Sequence, residues 1–446
     1  MTIRRIVVLG GGFAGVTTVR RLERELRAHS DFEIVLVSRS NFFVLTPLLF
    51  EACSGTLELR HCAQPIRPVL RRSRFIEAVV TGVDADRNVV HISAGGVESE
   101  LAYEHLVVAL GSSTNLDLIP GSENAFTFKT MADALVLRNH FIEQLERADA
   151  AADATLRARA LTFVVIGGGL VGIELLGELT ALADDVLRYY PRIRRDELRF
   201  HLFEATARIL PELDQRLAWV ATRVLVKRGA DIRASTPVRR IEPERVHIDG
   251  ESIAASTIVL AAGIVPSAVV NRVSVARNEK GRIVVGPTMR SISHSNVWAL
   301  GDCAAIPAPD GKPYPALAQH AVREAKQLAR NIAAVVAHRP PEPFVFRSLG
   351  TMAALGHSRA VAQVMGVRIT GFFAWWFRRT YYLLQMPRWD RRLRIVVDWT
   401  IALFFRHDIT KVDLAVEHDQ VLQDGGVRSE AQSTDREAKR LQESIA

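Results

Sequence analysis

Two doubly wound α/β units, followed by a C-terminal segment of different character, are what this 446-residue sequence predicts. Three observations predict it. First, RRIVVLGGGFAGVTTVRRL (4–22) and LTFVVIGGGLVGIELLGEL (161–179) are one pattern written twice: a β-branched apolar run, a glycine cluster, an amphipathic helix. Second, short apolar strands alternate with helical stretches around both copies, the pattern of sheets covered by helices. Third, residues 371–407 hold four of the six tryptophans, mixed with Arg378, Arg379, Arg391, Arg392 and Arg394, unlike the rest of the chain.

Taken in order, the first copy is followed by strands predicted at 32–38, 75–85, 89–94 and 105–111. The Ala-rich and charged stretch 148–160 reads as a helical connection to the second copy. Around that copy come strands at 198–204, 230–235, 245–250 and 257–263. HRPPEPF (338–344) closes the second half with a proline break. From residue 425 the chain is polar and poor in aromatics, which predicts a mostly disordered tail. The resulting division is 1–120 and 281–340 for the first unit, 121–280 for the second, 341–415 for the C-terminal region and 416–446 for the tail.

Hydrophobic content of 48% and charged content of 24% are those of a globular protein and exclude disorder as a description of the whole chain. The net charge of +8 is concentrated: residues 366–411 carry nine Lys/Arg against three Asp/Glu. Three cysteines, Cys53, Cys62 and Cys303, without CxxC spacing, suggest a reducing compartment and buried thiols rather than a disulfide framework. The strand-like IRRIVVLG begins directly after Met1 and Thr2, so no secretory signal is expected. No window has the ~20 uninterrupted apolar residues of a spanning helix.

The glycine clusters carry the chemistry. Gly10, Gly12 and Gly15 stand in G-x-G-x-x-G register straight after a strand, and Gly167, Gly169 and Gly172 repeat this 157 residues later. Such glycines make a tight turn, let the backbone approach a pyrophosphate and pack helix on strand, with phosphate at the positive helix end. One such motif is weak; two in matching contexts predict two Rossmann-like dinucleotide-binding domains.

The ribose-binding positions differ between the copies. An acidic residue is expected about 20 residues past the glycines. The first copy has Ser38 there, followed by Arg39, which on its own would also suit a 2′-phosphate. The second has Glu204, displaced by the insertion at 184–197, and a carboxylate favours NADH over NADPH. Glu174, two residues past the last glycine, reads either as a charge in the first helical turn or as a group facing the nicotinamide. Asp302, at the end of a predicted strand in SNVWALGDCAAI, reads as a hydrogen-bond partner for a ribityl or phosphate oxygen, or as an N-cap. No metal site and no nucleic-acid surface are expected.

The order GxGxxG, VVALGS, GxGxxGxE, AAG, GDCA, AQHA resembles the two-dinucleotide-binding-domain flavoproteins. NFFVLTPLLFEACSGTLE (41–58) and the Trp-rich C-terminal segment are similar to type II NADH dehydrogenases, single-subunit NADH:quinone oxidoreductases. The resemblance spans residues 3–411. It implies that Gly10, Gly12 and Gly15, with Ser38 and Arg39, bind FAD, and that Pro47, Gly111, Asp302 and Ala318 line the flavin. It implies NADH at Gly167, Gly169, Gly172, Glu204 and Gly263, Glu174 facing the nicotinamide, and Gln319 and His320 where quinone arrives. The family pattern there is roughly AQxAxQQ; this chain reads AQHAVRE, with Arg323 and Glu324 at the later glutamine positions.

The expected reaction passes a hydride from NADH to FAD and two electrons onward to a membrane quinone, without proton pumping. The alternatives are a soluble reductase for a protein partner, a sulfide:quinone oxidoreductase using cysteines, and a membrane-docked dinucleotide sensor without turnover. In RRLRIVVDWTIALFFRH, Leu393, Val396, Val397, Ile401 and Phe404 recur at helical spacing, with arginines at the start and Arg406 and His407 at the end. The stretch, which contains Arg394 and Asp398, is too short and too charged to span, so residues 371–407 are expected to lie in the interface plane. A plain core and a nucleic-acid face are the competing readings of that segment. The expected location is the cytoplasmic face of the cell membrane, peripheral and monotopic, with room for a homodimer.

Overall fold

The computed structural model describes residues 4–29, 31–405 and 408–411. Each glycine motif opens a five-stranded parallel sheet of the same design. In the first unit the strand Arg4–Leu9 pairs on one side with Phe32–Ser38 and then Arg74–Glu77, and on the other with His105–Val108 and then Val297–Ala299. In the second, Thr162–Ile166 pairs with Arg199–Phe203 and then Ala230–Arg233, and on its other side with Thr257–Leu260 and then Phe126–Thr127. The central strands are buried on both faces, so they read as unbroken apolar runs.

The helices are α1 (Phe13–Glu25), α2 (Leu49–Cys53), α3 (Met131–Ala150), α4 (Ala154–Ala160), α5 (Leu170–Val186), α6 (Gln215–Lys227), α7 (Ala318–Val336), α8 (Gly371–Gln385) and α9 (Trp389–Phe404). α1 and α7 pack together over the first sheet. The segment Leu45–Cys62, including α2, joins the core built around α3 and α5, as do Met386 and Ile395 from the C-terminal region.

Several elements differ from the sequence reading. The strand expected at 75–85 is two, Arg74–Glu77 in the parallel sheet and Val79–Asp84 in an antiparallel meander with Val89–Ala94 and Val97–Ala102. The helical connection begins much earlier, at Met131, where Thr130 and Asp133 form a capping box. It breaks after Ala150 and restarts because the Asp153 carboxylate caps α4, accepting from the N–H groups of Thr155 at 2.7 Å and Leu156 at 3.3 Å. The sequence reading missed the antiparallel sheet Gly350–Ala354, Ala360–Val364, Val367–Thr370 altogether. Arg406, His407 and the predicted tail lie outside the described residues. Among the described residues no helix is long and apolar enough to cross a membrane.

The C-terminal sheet rests on α5 backbone to backbone. A Cβ on Gly177 would lie 2.6 Å from the carbonyl carbon of Leu355, and one on Gly356 would lie 2.2 Å from the Gly177 oxygen. Arg228 then fastens the turn, donating to the carbonyls of Leu355 and, at 3.0 Å, Gly356. Gly177→Ala must push the sheet off the helix. It is expected to destabilise the protein by about 1–3 kcal/mol, as overpacking does, measured as a fall in urea midpoint at unchanged slope.

Candidate active site between the two units and the C-terminal helices

At the first glycine turn, Gly10 donates its N–H to Val37 O at 2.8 Å and holds φ +105°, with a Cβ there only 2.2 Å from Ala109 O. Gly15 sits one helical turn on, where a Cβ would be 1.8 Å from Gly10 O. The second unit repeats this: Gly167 donates to Phe203 O at 2.8 Å, and a Cβ on Gly172 would be 1.9 Å from Gly167 O. The middle glycines face open space. A Cβ on Gly12 would meet nothing within 4 Å, and one on Gly169 only Glu212 Oε1 at 3.8 Å. Both are helix N-caps without side-chain caps, so the first N–H groups of α1 and α5 point outward unpaired by any cap.

Ser38 is buried at the end of its strand and Arg39 is exposed beyond it. Glu204 is half-buried beside the second glycine turn, its carboxylate accepting from Gly168 N–H at 2.6 Å and Thr206 N–H at 2.7 Å. That leaves carboxylate lone pairs for a further donor. Gly263 ends the return strand of the same unit at φ +70°.

Asp302 follows Gly301 in a short 3-10 turn. Its carboxylate accepts from the Ser112 hydroxyl at 2.6 Å, and Lys129 donates to the Ser112 oxygen at 2.5 Å. Gly111, just before Ser112, has φ +67° and nothing within 4 Å of a Cβ position. Ala318 is exposed at the first position of α7. Gln319 donates to Ser348 Oγ at 3.1 Å and Gly350 O at 3.0 Å, tying α7 to the C-terminal sheet. His320 is buried, its ring 5.6 Å from that of Tyr314 and 5.2 Å from that of Phe346. Burial and the nearby Arg323 hold its pKa below the usual histidine value, so it stays neutral.

The remaining residues meet in a buried charge cluster. Glu51 of α2 accepts from Arg378 Nη1 at 3.3 Å, Arg379 Nη2 at 3.0 Å and Trp399 Nε1 at 2.7 Å. Glu174 of α5 lies 2.9 Å from Arg378 Nη2 and accepts the Ala354 N–H at 2.7 Å. Arg378 also donates to the Pro47 carbonyl at 2.7 Å. The four charged side chains are between 0% and 10% exposed. Burial pushes the Glu174 carboxyl up to about 7, against the pull of Arg378 and the Ala354 N–H. Glu174 is therefore not a charge of the first helical turn: that turn of α5 holds no acidic residue, and the side chain is spent on α8 and the C-terminal sheet. Arg378 and Arg379, read from composition as part of a basic surface, face inward. Glu51, Ser112 and Lys129 went unrecognised, because their partners are far away in sequence.

Cys53, Cys62 and Cys303 are buried free thiols. Burial pushes the Cys53 thiol up to about 12 and raises Cys62 as well, the opposite of what thiolate chemistry requires.

The family described as pyridine nucleotide-disulphide oxidoreductase matches residues 4–325, and the NDH2 C-terminal domain matches 349–408. The chain belongs to the type II NADH:quinone oxidoreductases. A probable NADH dehydrogenase of Dictyostelium discoideum is 31% identical over 417 residues, covering 91% of each chain. A type II NADH:quinone oxidoreductase of Staphylococcus aureus is 30% identical over 376 residues, 82% of this chain and 91% of that one. The structure of NDH2 from Plasmodium falciparum in complex with NADH has the same fold, with a TM-score of 0.85 at 19% identity, covering 92% of this chain and all of that one. As a type II NADH:quinone oxidoreductase the chain uses FAD to carry reducing equivalents from NADH to a quinone. The sulfide, protein-partner and sensor readings fall away.

Glu51 is the acceptor on which the cluster turns. Glu51→Gln leaves two buried guanidiniums sharing one fewer charge and is expected to destabilise by about 3 kcal/mol or more. Equilibrium unfolding in urea reads this, and an unaltered midpoint contradicts it.

Proposed function

We propose that the first glycine turn, with Ser38 and Asp302, holds FAD, that the second, with Glu204 and Gly263, holds NADH, and that α8 and α9 seat the enzyme peripherally on a membrane. Residues 1–120 and 281–340 form the flavin domain, 121–280 the NADH domain and 341–415 the membrane-associating region. Support for the cofactor assignment lies in the two helix N-termini without side-chain caps, each facing open space at Gly12 and Gly169. FAD, when bound, supplies the two-electron carrier that NADH reduces and quinone reoxidises.

The chain's own residues bind, orient and exclude water. The α1 and α5 N-termini meet pyrophosphate charge; Ser38 reaches a ribose of FAD, with exposed Arg39 at the margin. Asp302, held by Ser112 and Lys129, and the open backbone at Gly111 meet the flavin's polar side. Pro47 is fixed beside it through its carbonyl bond to Arg378. Glu204 accepts from the NADH ribose hydroxyls and repels a 2′-phosphate. Glu174 lies on the nicotinamide side of the second unit, where its carboxyl is held by Arg378 and the Ala354 N–H and so orients α8 and the C-terminal sheet. Quinone approaches at the N-terminus of α7, past Ala318, Gln319 and the neutral His320.

One observation carries the membrane reading: α8 and α9 have opposite faces of opposite character. Arg378, Arg379 and Trp399 point inward to Glu51, while Phe372, Phe373, Trp376, Leu384, Trp389 and Phe404 are 56–79% exposed. A core reading leaves this outer face unexplained. Aromatic side chains on a helix too short to span suit the headgroup level. The reading also accounts for the substrates, since long-chain quinones stay in the bilayer while NADH stays in water.

Two measurements test it. Full-length protein with Phe373→Ser, Trp389→Ser and Phe404→Ser together should lose at least about tenfold in liposome binding, yet oxidise NADH with a soluble short-chain quinone as before; undiminished liposome recovery contradicts the membrane face. Deleting the segment is a poorer test, because it also removes the partners of Glu51 and Glu174. For the nucleotide, Glu204→Ala should lower the NADH to NADPH ratio of kcat/KM by about tenfold or more, the worth of a hydrogen bond to a charged group. An unchanged ratio rules out Glu204 as the ribose ligand.

A further inference from the structure

Glu324 has no part in the reaction described above, yet it is one of the most enclosed carboxyls of the protein, 2% exposed on the inner face of α7. Its Oε2 accepts the N–H of Gly301 at 2.8 Å. Gly301 is held at φ +70° between α1 and α7, where a Cβ would lie 3.5 Å from that of Ala14 and 3.8 Å from that of Ala321. The next residue is Asp302. Two acidic side chains therefore flank one turn: Glu324 anchors its backbone from beneath, and Asp302 presents its own carboxylate on the other side, tied to Ser112.

The charges around this turn are unevenly shared. Lys129 acts on Asp302 and reaches Ser112. What acts on Glu324 is burial, the Gly301 N–H and the like charge of Asp302. The cations Arg21 and Arg24 of α1, with Arg323 and Arg330 of α7, act instead on Lys326, which is exposed on the outer face of α7. A glutamine could accept the Gly301 N–H equally well. What a glutamate adds is a charge and a proton at a place that water does not reach.

We propose that Glu324 is a positioning residue for the flavin, which fixes the Gly301–Asp302 turn through the Gly301 amide and takes up a proton when FAD binds. The proposal rests on the assignment of that turn to FAD. The dinucleotide brings two phosphate charges and displaces water from the unit that holds the turn, and both effects disfavour a buried carboxylate. Burial and Asp302 already push the Glu324 carboxyl up to about 7, so the proton is exchanged in the neutral range. The sign follows from linkage: a ligand that raises the pKa of an acid binds more tightly as pH falls through that pKa. FAD is thus held more firmly below neutrality than above it, with up to about tenfold in affinity for each unit by which binding raises the pKa.

The experiment follows release of oxidised FAD from the holoenzyme by flavin fluorescence, from about pH 5.5 to about pH 8.5. Oxidised flavin does not itself titrate in that range. In the unsubstituted protein the dissociation constant should rise with pH through neutrality. Glu324→Gln, which keeps an acceptor for Gly301, should retain FAD but with a flat profile. Glu324→Ala should release FAD more readily at every pH, because the Gly301 N–H loses its partner. A Glu324→Gln protein with the same pH profile as the unsubstituted one overturns the proposal, as does a Glu324→Ala protein that holds FAD equally well. Asp302→Ala without effect on FAD release overturns the assignment of the turn itself, and the proposal with it.

Discussion

A guanidinium taken out of water must find carboxylates in the right place, or the fold that buries it is not populated. This protein buries two of them side by side, Arg378 and Arg379, and the architecture around them follows from that demand. Glu51 comes from the short helix between the strands Phe32–Ser38 and Arg74–Glu77 of the first unit, Glu174 from the helix that the second glycine motif opens, and the arginines from the C-terminal region. These three parts of the chain share one apolar core and are held in register by two guanidiniums and the carboxyls of Glu51 and Glu174. Removing any member strands a charge, so the junction is specified more sharply than apolar packing alone would specify it.

The placement has a functional consequence. α8 and α9 carry the buried charge cluster on their inner side and an apolar surface on their outer side. Under the proposed membrane reading, a contact on the outer face bears on the helix whose Arg378 holds Glu174 and the Pro47 carbonyl. His61 and Asp398, 2.5 Å apart, fasten α9 to the turn after α2 in the same way. Asp398, one of several charged residues in α9, is thus also a residue that docks it.

Both glycine units were legible in the sequence because their signals are local. An apolar run ending in GxGxxG demands a strand, a tight turn and a helix within some twenty residues, and the strands at 32–38 and 89–94 appear at their expected limits. α9 was legible for the same reason: Leu393, Val396, Val397, Ile401 and Phe404 lie on one face and are exposed. The charge cluster was not legible, since Glu51 and Arg378 are 327 residues apart and nothing local distinguishes either from a surface charge. One faint signal existed. Ala374, Arg378 and Tyr382 recur every four residues, and this stripe is the inner face of α8, with Arg378 lying 5.1 Å over the Tyr382 ring. The small C-terminal sheet was missed because its strands are only four or five residues long, Ala weakens the β-propensity of the first two, and the close approach of Gly177 and Gly356 that holds the sheet is not a local signal.

The central claim is that the pairing of Glu51 with Arg379, more than apolar contact, fixes the C-terminal helices against the rest of the enzyme. A double-mutant cycle with Glu51→Met, Arg379→Met and both together, read by urea unfolding of the full chain, tests this directly. The account predicts a coupling energy on the order of 2 kcal/mol or more, with the double variant more stable than Glu51→Met alone. A coupling near zero, with the two losses simply adding, would contradict it.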